Sequence, residues 1–594
     1  MTNKEILSGN EAFARGAHEA GVRVASAYPG TPSTEILENI VRYPEIDASW
    51  APNEKVALEV AIGASFGGGR ALACMKHVGV NVAADPLFTL SYTGVGGGLA
   101  LIVADDPEMH SSQDEQDSRN YARFAKVPML EPADSQECLD FTRLAFELSE
   151  QFDTPVMLRS CTRISHGKSI VQPGEPVSGL PEPKLVKNPA KLVMLPGNAR
   201  VRHPLVEERT VKLSQYGDTA AINSMELRST EIGIICAGVT WQYVREALPE
   251  ASTLKLGMVW PLPEKLIRDF AAKIKRLFVV EELDPFIEEQ VKAMGIAVTG
   301  KEIISRCGEL SPGRIREAFS KIGLAEAIHE LPLQQTMSLP PRPPNMCPGC
   351  PHRGVFYELN RLKAYVTGDI GCYTLGFMPP LNAMDTCVCM GASISNASGI
   401  VRVLPPEEQR KVVAVIGDST FLHTGINSLM EMAWNKSPAT VIILDNRITA
   451  MTGRQENPAS GFTLNSDVAP EVNIPELCRT LGIRYVQVLD PYDLEATHAA
   501  LQEEMNRPEP SVLITNRPCC LIKGADRFEK GAVLEVDQGN CTGCKACLRI
   551  GCPAIEWKPD SENKKGKAFI DANLCTGCTV CQQLCKFNAI GRKK

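Results

Sequence analysis

The sequence predicts an α/β protein whose doubly wound parallel sheets are followed by a small, cysteine-rich α+β module. Short apolar runs alternate with amphipathic helical stretches through most of the 594 residues, which is the pattern of a parallel sheet covered by helices on both faces. Residues 530–594 break this pattern and carry cysteines at regular, close spacing. Proline-rich passages at 181–191 and 331–344 separate the remaining segments. We therefore predict four domains, at residues 1–182, 190–330, 345–525 and 530–594.

The composition excludes several classes of protein. Hydrophobic residues make up 44% of the chain and charged residues 22%, as in soluble globular proteins. A net charge of −8 argues against a general nucleic-acid binder, and the sequence has no apolar run of about 18 residues that would span a membrane. The chain starts with a capped amphipathic helix and not with a secretion signal. Its 21 cysteines, many in C-x2-C groups, therefore favour metal or iron–sulfur ligation in a reducing cytoplasm.

The most informative stretch is 411–452, where two predicted strands flank a helix. The strand at 412–416 ends at Gly417-Asp418-Ser419, and the strand at 440–444 ends at Asp445-Asn446. The carboxyl ends of neighbouring parallel strands are where open α/β sheets bind ligands, and two hard oxygen ligands suit a Mg2+ that also holds a phosphate. Either residue alone is more often an ordinary turn residue.

Together these residues resemble the diphosphate–magnesium signature of thiamine diphosphate (ThDP) enzymes, in which Gly-Asp-Ser is separated by 26 residues from an Asn. The resemblance implies that the cofactor diphosphate is bound by Gly417, Asp418, Ser419 and Asn446. It also implies that Mg2+ is held by Asp418, Asn446 and the backbone carbonyl of Ile448. Residues 345–525 are thus expected to form a diphosphate-binding (PP-like) domain.

Three motifs of the first domain, YPGTPST, NEKVALEVAIGAS and DDPEMHSSQDEQDSR, resemble the pyrimidine-binding (PYR) domain of 2-oxoacid:ferredoxin oxidoreductases. On position alone, Glu54 is an ordinary carboxylate that the helix dipole favours in a first turn. The resemblance implies that Glu54 bonds the aminopyrimidine N1′ of ThDP and relays its proton, and that Thr31 lies near the substrate. Further candidates for substrate contacts are Lys76, His77 and Arg119. Residues 190–330 then correspond to a transketolase-C-like α/β domain.

A second group of cysteines lies within the predicted PP-like domain. Cys347 and Cys350 have the spacing of a tetrahedral Zn2+ site or of half an iron–sulfur site. In the related pyruvate and 2-oxoglutarate enzymes, cysteines at comparable places hold a [4Fe-4S] cluster beside ThDP. That resemblance implies a possible third cluster on Cys347, Cys350, Cys372 and Cys519, with Cys520 able to replace Cys519. Cys387 and Cys389 flank a single residue, which suits no common tetrahedral site, and are expected to line the pocket.

The C-terminal cysteines predict a two-cluster ferredoxin module. The triple C-x2-C-x2-C spacing occurs twice, 34 residues apart, and each copy is followed by a fourth cysteine. In such duplicated modules the fourth cysteine ligates the other [4Fe-4S] cluster. Cluster one is therefore predicted on Cys541, Cys544, Cys547 and Cys585, and cluster two on Cys575, Cys578, Cys581 and Cys552. An extra residue before Cys552, and Lys586 where proline is usual, depart from the bacterial pattern.

The strings CPGCPHRG, GDIGCYTLG and DTCVCMGAS resemble the large (alpha) subunits of indolepyruvate ferredoxin oxidoreductases, and the resemblance covers essentially the whole chain. It implies oxidation of aryl 2-oxoacids with CoA to aryl-acetyl-CoA and CO2 in amino-acid catabolism, with external ferredoxin as acceptor. It also implies a smaller beta subunit, with two copies of each chain. Alternatives are a pyruvate or branched-chain 2-oxoacid:ferredoxin oxidoreductase, a non-oxidative decarboxylase, and an electron carrier with a vestigial ThDP fold. From residue 541 onward, Lys and Arg outnumber Asp and Glu by ten to four, which favours docking of an acidic ferredoxin.

Overall fold

The computed structural model describes residues 4–326, 342–522, 532–559 and 566–592. The chain forms two compact units, Met1–Thr336 and Met337–Lys594. Most of the predicted linker at 331–344 lies outside the described residues, as do four of the ten basic residues counted from residue 541, namely Lys564, Lys565, Lys593 and Lys594. Among the described residues, no helix combines the length and the apolar character needed to cross a membrane.

The first unit is built on a seven-stranded sheet that is parallel except at one edge. Its strands lie in the order Met258–Trp260, Met129–Leu130, Val156–Cys161, Leu99–Asp105, Ala71–Lys76, Val24–Ala27 and Asp47–Trp50. Its helices are Gly9–Glu19, Thr34–Ile40, Glu54–Phe66, His77–Thr93, Arg119–Ala125, Ser135–Phe152 and Thr162–His166. The predicted amphipathic helix at the start is confirmed, with a capping box formed by Ser8 and Glu11. A strand precedes it, Glu5–Ser8, and pairs antiparallel with Lys168–Val171.

A four-stranded sheet completes the first unit. Its strands lie in the order Arg276–Val279, Ile232–Ala237, Ser252–Leu256 and Ser224–Glu226, of which the last is antiparallel. Its helices are Pro189–Leu192, Pro196–Gly217, Gly238–Ala247, Glu264–Ala271, Phe286–Ala293 and Pro312–Lys321. Buried side chains from both sheets, such as Leu101 and Leu254, belong to one continuous core. The two sheets therefore pack as a single body.

The second unit contains a six-stranded, fully parallel sheet. Its strands lie in the order Thr386–Cys387, Tyr365–Gly368, Val412–Gly417, Thr440–Asp445, Ser511–Asn516 and Tyr485–Leu489. Its helices are His352–Leu362, Ala392–Val401, Pro406–Gln409, Asp418–Thr420, Ile426–Trp434, Ile474–Thr480 and Leu494–Met505, with a 3-10 turn at Cys372–Phe377 and a π turn at Phe421–Gly425. The predicted β-α-β unit at 411–452 is confirmed, and the doubly wound architecture with it.

The ferredoxin-like module has the predicted α+β form and internal repeat. Two antiparallel strand pairs, Leu534–Val536 with Ile590–Arg592 and Ile555–Lys558 with Lys567–Ile570, enclose a short 3-10 helix, Ala546–Ile550, and a short α-helix, Val580–Gln583. The core is small and is formed largely by cysteine and aliphatic side chains. A core of this size gains stability from metal ligation.

Candidate functional site

The parallel sheet of the second unit brings the two halves of the predicted magnesium motif together. Strands Val412–Gly417 and Thr440–Asp445 are direct neighbours, with Gly417 opposite Leu444. Asp418 and Asn446 therefore both follow strand ends at the same sheet edge, and they are only 2% and 7% exposed. A hydrogen bond of 2.8 Å between the hydroxyls of Ser419 and Thr449 ties the two loops to each other.

The bonding of Asp418 is suited to a cation. Its Oδ1 accepts a hydrogen bond from the Ser419 N–H at 2.8 Å, while Oδ2 has a long contact of 3.5 Å with the Asn457 amide. Burial, and next the neighbouring Asp445 carboxylate, raise the pKa of Asp418 well above its ordinary range. A divalent cation would restore the ionised form, and a carboxylate with amide and carbonyl oxygens is the ligand set that Mg2+ takes. The residues therefore fit the predicted metal.

Asn446 is held from three sides. Its side-chain oxygen accepts the Ile448 N–H at 3.2 Å, which folds the predicted carbonyl ligand Ile448 back towards it. Its side-chain nitrogen lies 3.3 Å from Nε2 of His352, and its backbone carbonyl accepts the Cys519 N–H at 3.0 Å. The structure thus brings together Asp418, Ser419, Asn446 and Ile448, and places Cys519 directly beside them.

Sequence reasoning missed three residues that shape this site. His352 is buried and its pKa is lowered by burial to about 4, so that it is neutral beside Asn446. The ring of Tyr373 leaves no room for a side chain at position 417, where a Cβ would lie 2.7 Å from it. Asn457 contacts Asp418 from a loop that carries no recognisable signal. Of the three, only His352 had a signal in the sequence, because it lies in the motif CPGCPHRG, two residues after Cys350.

Cysteines that are far apart in sequence lie close together in the second unit. Burial, and next the nearby sulfurs of Cys519 and Cys347, raise the pKa of Cys372 to about 11. Cys350 is influenced in the same way by Cys372 and Cys347. Among the described residues, however, no three cysteine sulfurs lie within 4.8 Å of one another. This arrangement is wider than the tetrahedron of a single Zn2+, and the third cluster stays a prediction.

The ferredoxin-like module also groups its sulfurs in two sets. One cavity is lined by the four cysteines predicted for cluster one, Cys541, Cys544, Cys547 and Cys585. In the other half, burial raises the pKa of Cys581, as do the sulfurs of Cys578, Cys552 and Cys575. The fourth cysteine of each run therefore lies with the first three of the other run. These donor sets fit two four-iron clusters.

Glu54 occupies the first position of helix Glu54–Phe66, where the helix dipole favours a carboxylate. The side chain of Asn53 caps this helix by accepting the Val56 N–H at 2.9 Å. Glu54 is 5% exposed, and a Cβ at Gly79 would lie only 2.6 Å from its Cγ. Gly79 therefore provides the space in which the Glu54 side chain lies.

Three other candidates of the first unit meet at one loop. The Thr31 carbonyl accepts a hydrogen bond from Ser111 at 3.4 Å, and the Lys76 ammonium donates to the Ser111 carbonyl at 2.7 Å. The ring of His77 lies 3.3 Å from the Asp114 carbonyl and is fully buried. Burial lowers the pKa of Lys76 despite the nearby carboxylates of Asp106 and Asp114. The structure therefore groups Thr31, Lys76 and His77.

Arg119 does not join this group in the structure, and its substrate contact stays a prediction. Its guanidinium is 1% exposed and pairs with Asp117 and, at 2.6 Å, with Glu281. It also donates to the Glu282 carbonyl at 3.0 Å. Arg119 thus joins the loop that follows strand Leu99–Asp105 to the residues that follow strand Arg276–Val279.

Comparison with known families agrees with this architecture. Residues 15–232 match the ThDP-binding domain of pyruvate flavodoxin/ferredoxin oxidoreductases, residues 369–515 match the C-terminal binding domain of thiamine pyrophosphate enzymes, and residues 540–589 match a 4Fe-4S dicluster domain. The indolepyruvate oxidoreductase subunit IorA of Archaeoglobus fulgidus is 40% identical over 99% of this chain and 97% of its own. The chain belongs to the IorA family.

The IorA subunit of Pyrococcus horikoshii is 39% identical to this chain over 99% of it and 96% of its own length. A 2-oxoglutarate:ferredoxin oxidoreductase from Magnetococcus marinus, solved with 2-oxoglutarate, coenzyme A and succinyl-CoA, aligns with 54% of the chain and 65% of its own at 17% identity and a TM-score of 0.46. This IorA-family chain is an oxidoreductase that binds ThDP and 4Fe-4S clusters.

Proposed function

We propose that this IorA-family chain is the catalytic subunit for oxidative decarboxylation of aryl 2-oxoacids, of the indolepyruvate and phenylpyruvate type. The products are aryl-acetyl-CoA, CO2 and reduced ferredoxin. The observation that carries the proposal is the joint placement of Asp418, Asn446 and Ile448 beside Cys519, because a cofactor held there would lie next to a cysteine that can ligate an electron-accepting iron–sulfur cluster. The full-length relatives named as indolepyruvate oxidoreductase subunits support the aryl substrate.

Each side chain has a defined role in this proposal. Asp418, Asn446 and the Ile448 carbonyl hold Mg2+ and, through it, the cofactor diphosphate, while Gly417 and Ser419 shape the diphosphate loop. Glu54 holds the proton at the aminopyrimidine nitrogen, and its buried helix-start position suits that role. Bound ThDP supplies the nucleophilic carbon and the electron sink for decarboxylation. Thr31, Lys76 and His77 contact the substrate carboxylate or orient the loop that does.

Electrons leave the site through iron–sulfur clusters that the cysteines hold. The eight cysteines of the ferredoxin-like module hold two [4Fe-4S] clusters, and Cys347, Cys350, Cys372 and Cys519 hold a third. Iron and sulfide analysis of the purified enzyme tests this assignment. We expect about twelve Fe for each chain, whereas about eight would limit the clusters to the ferredoxin-like module.

Two partners follow from the proposal. A smaller beta subunit completes the enzyme, in two copies of each chain, in the cytoplasm. External ferredoxin docks near cluster one, where Cys544, Lys545 and Arg549 are exposed. The positive residues accelerate encounter with an acidic ferredoxin, so its reduction slows as ionic strength rises. A rate that does not change with salt would contradict this docking site.

Substrate specificity is tested by steady-state turnover of the two-subunit enzyme with CoA and ferredoxin. We expect kcat/KM for indolepyruvate and phenylpyruvate to exceed that for pyruvate. A preference for pyruvate or for branched-chain 2-oxoacids would overturn the aryl assignment in favour of that alternative. The variant Glu54→Gln is the control for ThDP chemistry, since it cannot relay the proton and should lose turnover with every substrate alike.

A further inference from the structure

Arg353 is a buried cation in the CPGCPHRG motif, and among the described residues no carboxylate pairs with it. It is the second residue of helix His352–Leu362 and is 3% exposed. One nitrogen, Nη1, donates to the carbonyls of Ile550 and Gly551 at 3.0 and 2.6 Å, and Nη2 donates to the carbonyls of Met346 and Cys347. Its Nε is buried and has no acceptor within the described part of the chain.

This arrangement leaves a positive charge without a negative one. Carbonyl oxygens satisfy the donors of a guanidinium only partly and do not neutralise its charge, and burying an uncompensated charge is costly. By comparison, Arg119 and Arg159 in the first unit, which are equally buried, pair with carboxylates. A negatively charged group bound beside Arg353 would supply the compensation that the described carboxylates do not.

The two segments that Arg353 clamps identify that group. On one side are the carbonyls of Met346 and Cys347, and Cys347 is a proposed cluster ligand. On the other side is Gly551, which immediately precedes Cys552 of cluster two. The segment around Cys347 also touches the second cysteine run, where Gly349, with φ of +71°, packs on Thr576 next to Cys575 of cluster two: a Cβ at position 349 would lie 2.2 Å from the Thr576 hydroxyl.

We propose that Arg353 is an electrostatic tuning residue, placed between the cluster on Cys347 and Cys350 and the cluster that includes Cys552, and that its charge stabilises the reduced form of both. This inference rests on the proposed function, which supplies the two clusters. A four-iron cluster with four thiolates is negative, and reduction adds one further negative charge, so a buried cation favours reduction. One electron leaves the first cluster, which is oxidised, and enters the second, which is reduced, without making or breaking a bond.

The test compares the midpoint potentials of the clusters in the two-subunit enzyme by redox titration monitored by electron paramagnetic resonance. The variant Arg353→Met removes the charge, and Arg353→Lys keeps it while losing most of the carbonyl bonds. The matched control is Arg361→Met on the same helix, where the arginine side chain is 49% exposed and already paired with Glu358.

We expect Arg353→Met to lower the potentials of the two flanking clusters and to leave cluster one near its wild-type value. Each tenfold loss of preference for the reduced form corresponds to about 59 mV for a one-electron couple. Arg353→Lys and Arg361→Met should both titrate close to wild type. If Arg353→Met does not retain iron, Arg353→Gln, which keeps a donor but no charge, replaces it in the comparison.

Unchanged potentials in the charge-free variant with full iron content would overturn the proposal. So would equal shifts in the Lys and the charge-free variants, since bond geometry would then explain the effect. The iron content of the wild-type enzyme separates this inference from the proposed function. About eight Fe for each chain would remove the third cluster from both, while the shift at cluster two would still decide the role of Arg353.

Discussion

The substitution Asp418→Asn should weaken cofactor binding and, in the same protein, stabilise the apo fold. Asp418 is buried beside Asp445, and burial and that neighbour raise its pKa. An amide of the same shape removes the desolvation penalty and the repulsion, and its oxygen can still accept the Ser419 N–H. It also removes the carboxylate that the proposed Mg2+ site requires. The two effects have opposite signs, which an unspecific loss of structure would not produce.

The size of both effects can be bounded. A carboxyl group with an ordinary pKa of 3.8 that must stay protonated in the folded state costs at most about 4 kcal/mol at pH 7, so the apo variant gains up to that amount. Removing a residue that hydrogen-bonds to a metal ligand lowers metal affinity about 10–100-fold. We expect that removing the ligand itself lowers the affinity for Mg2+ and ThDP by at least about 100-fold. In free energy this is about 2.7 kcal/mol.

Calorimetric titration of ThDP with Mg2+ into the apo enzyme measures the affinity, and thermal unfolding with and without cofactor measures the stability. The control is Glu358→Gln, which makes the same chemical change at a carboxylate that is fully buried and paired with Arg361 and His498. That variant should lose stability and keep wild-type affinity. Wild-type binding of ThDP and Mg2+ by Asp418→Asn, or a less stable apo protein, would refute the reasoning.

Two further predictions concern the buried charges of the first unit. Burial raises the pKa of Glu282 from 4.5 to about 7, so the protein is about 3 kcal/mol more stable below about pH 4.5 than at pH 7, where the unfolded chain gains from ionisation. The melting temperature of Glu282→Gln should therefore fall less than that of wild type between pH 5 and 8. Parallel curves would contradict this. Arg119→Met leaves Asp117 and Glu281 buried and unpaired, and should lower the free energy of unfolding by denaturant by about 3–5 kcal/mol. The control Arg163→Met, whose arginine is exposed, should lower it by less than about 1 kcal/mol.

Features that depend on local chemistry could be predicted from the sequence. Apolar runs that end in Gly-Asp or Asp-Asn locate the strands of the parallel sheet, because buried parallel strands need continuous apolar side chains. Asn53 followed by Glu54 marks a helix start, because both satisfy the free N–H groups and the dipole there. The cysteine repeat likewise predicts which sulfurs lie together, since the ligand spacing is imposed by the cluster and not by the rest of the fold.

Features that depend on packing between distant segments could not be predicted from the sequence. The sequence resemblance predicts Arg119 at the substrate, whereas its partner Glu281 lies 162 residues away, and no local pattern indicates a buried pair of that kind. The contacts of His352 and Asn457 with the metal motif also join segments that only the folded sheet brings together. The apolar spacing predicts ordinary helix at Phe421–Gly425, where the structure has a π turn, because that spacing still fits a helical period.

The antiparallel strand Met258–Trp260 has a consequence for how the first unit can be divided. It pairs with Met129–Leu130 and so closes one edge of the seven-stranded sheet with residues from beyond the predicted boundary at 182–190. A fragment ending at that boundary would expose backbone donors and acceptors along an open edge, which is a template for aggregation. The first 182 residues should therefore be insoluble when expressed alone and become soluble when the chain is extended past Trp260, so that the smallest piece of this unit able to fold is much larger than its sequence pattern suggests.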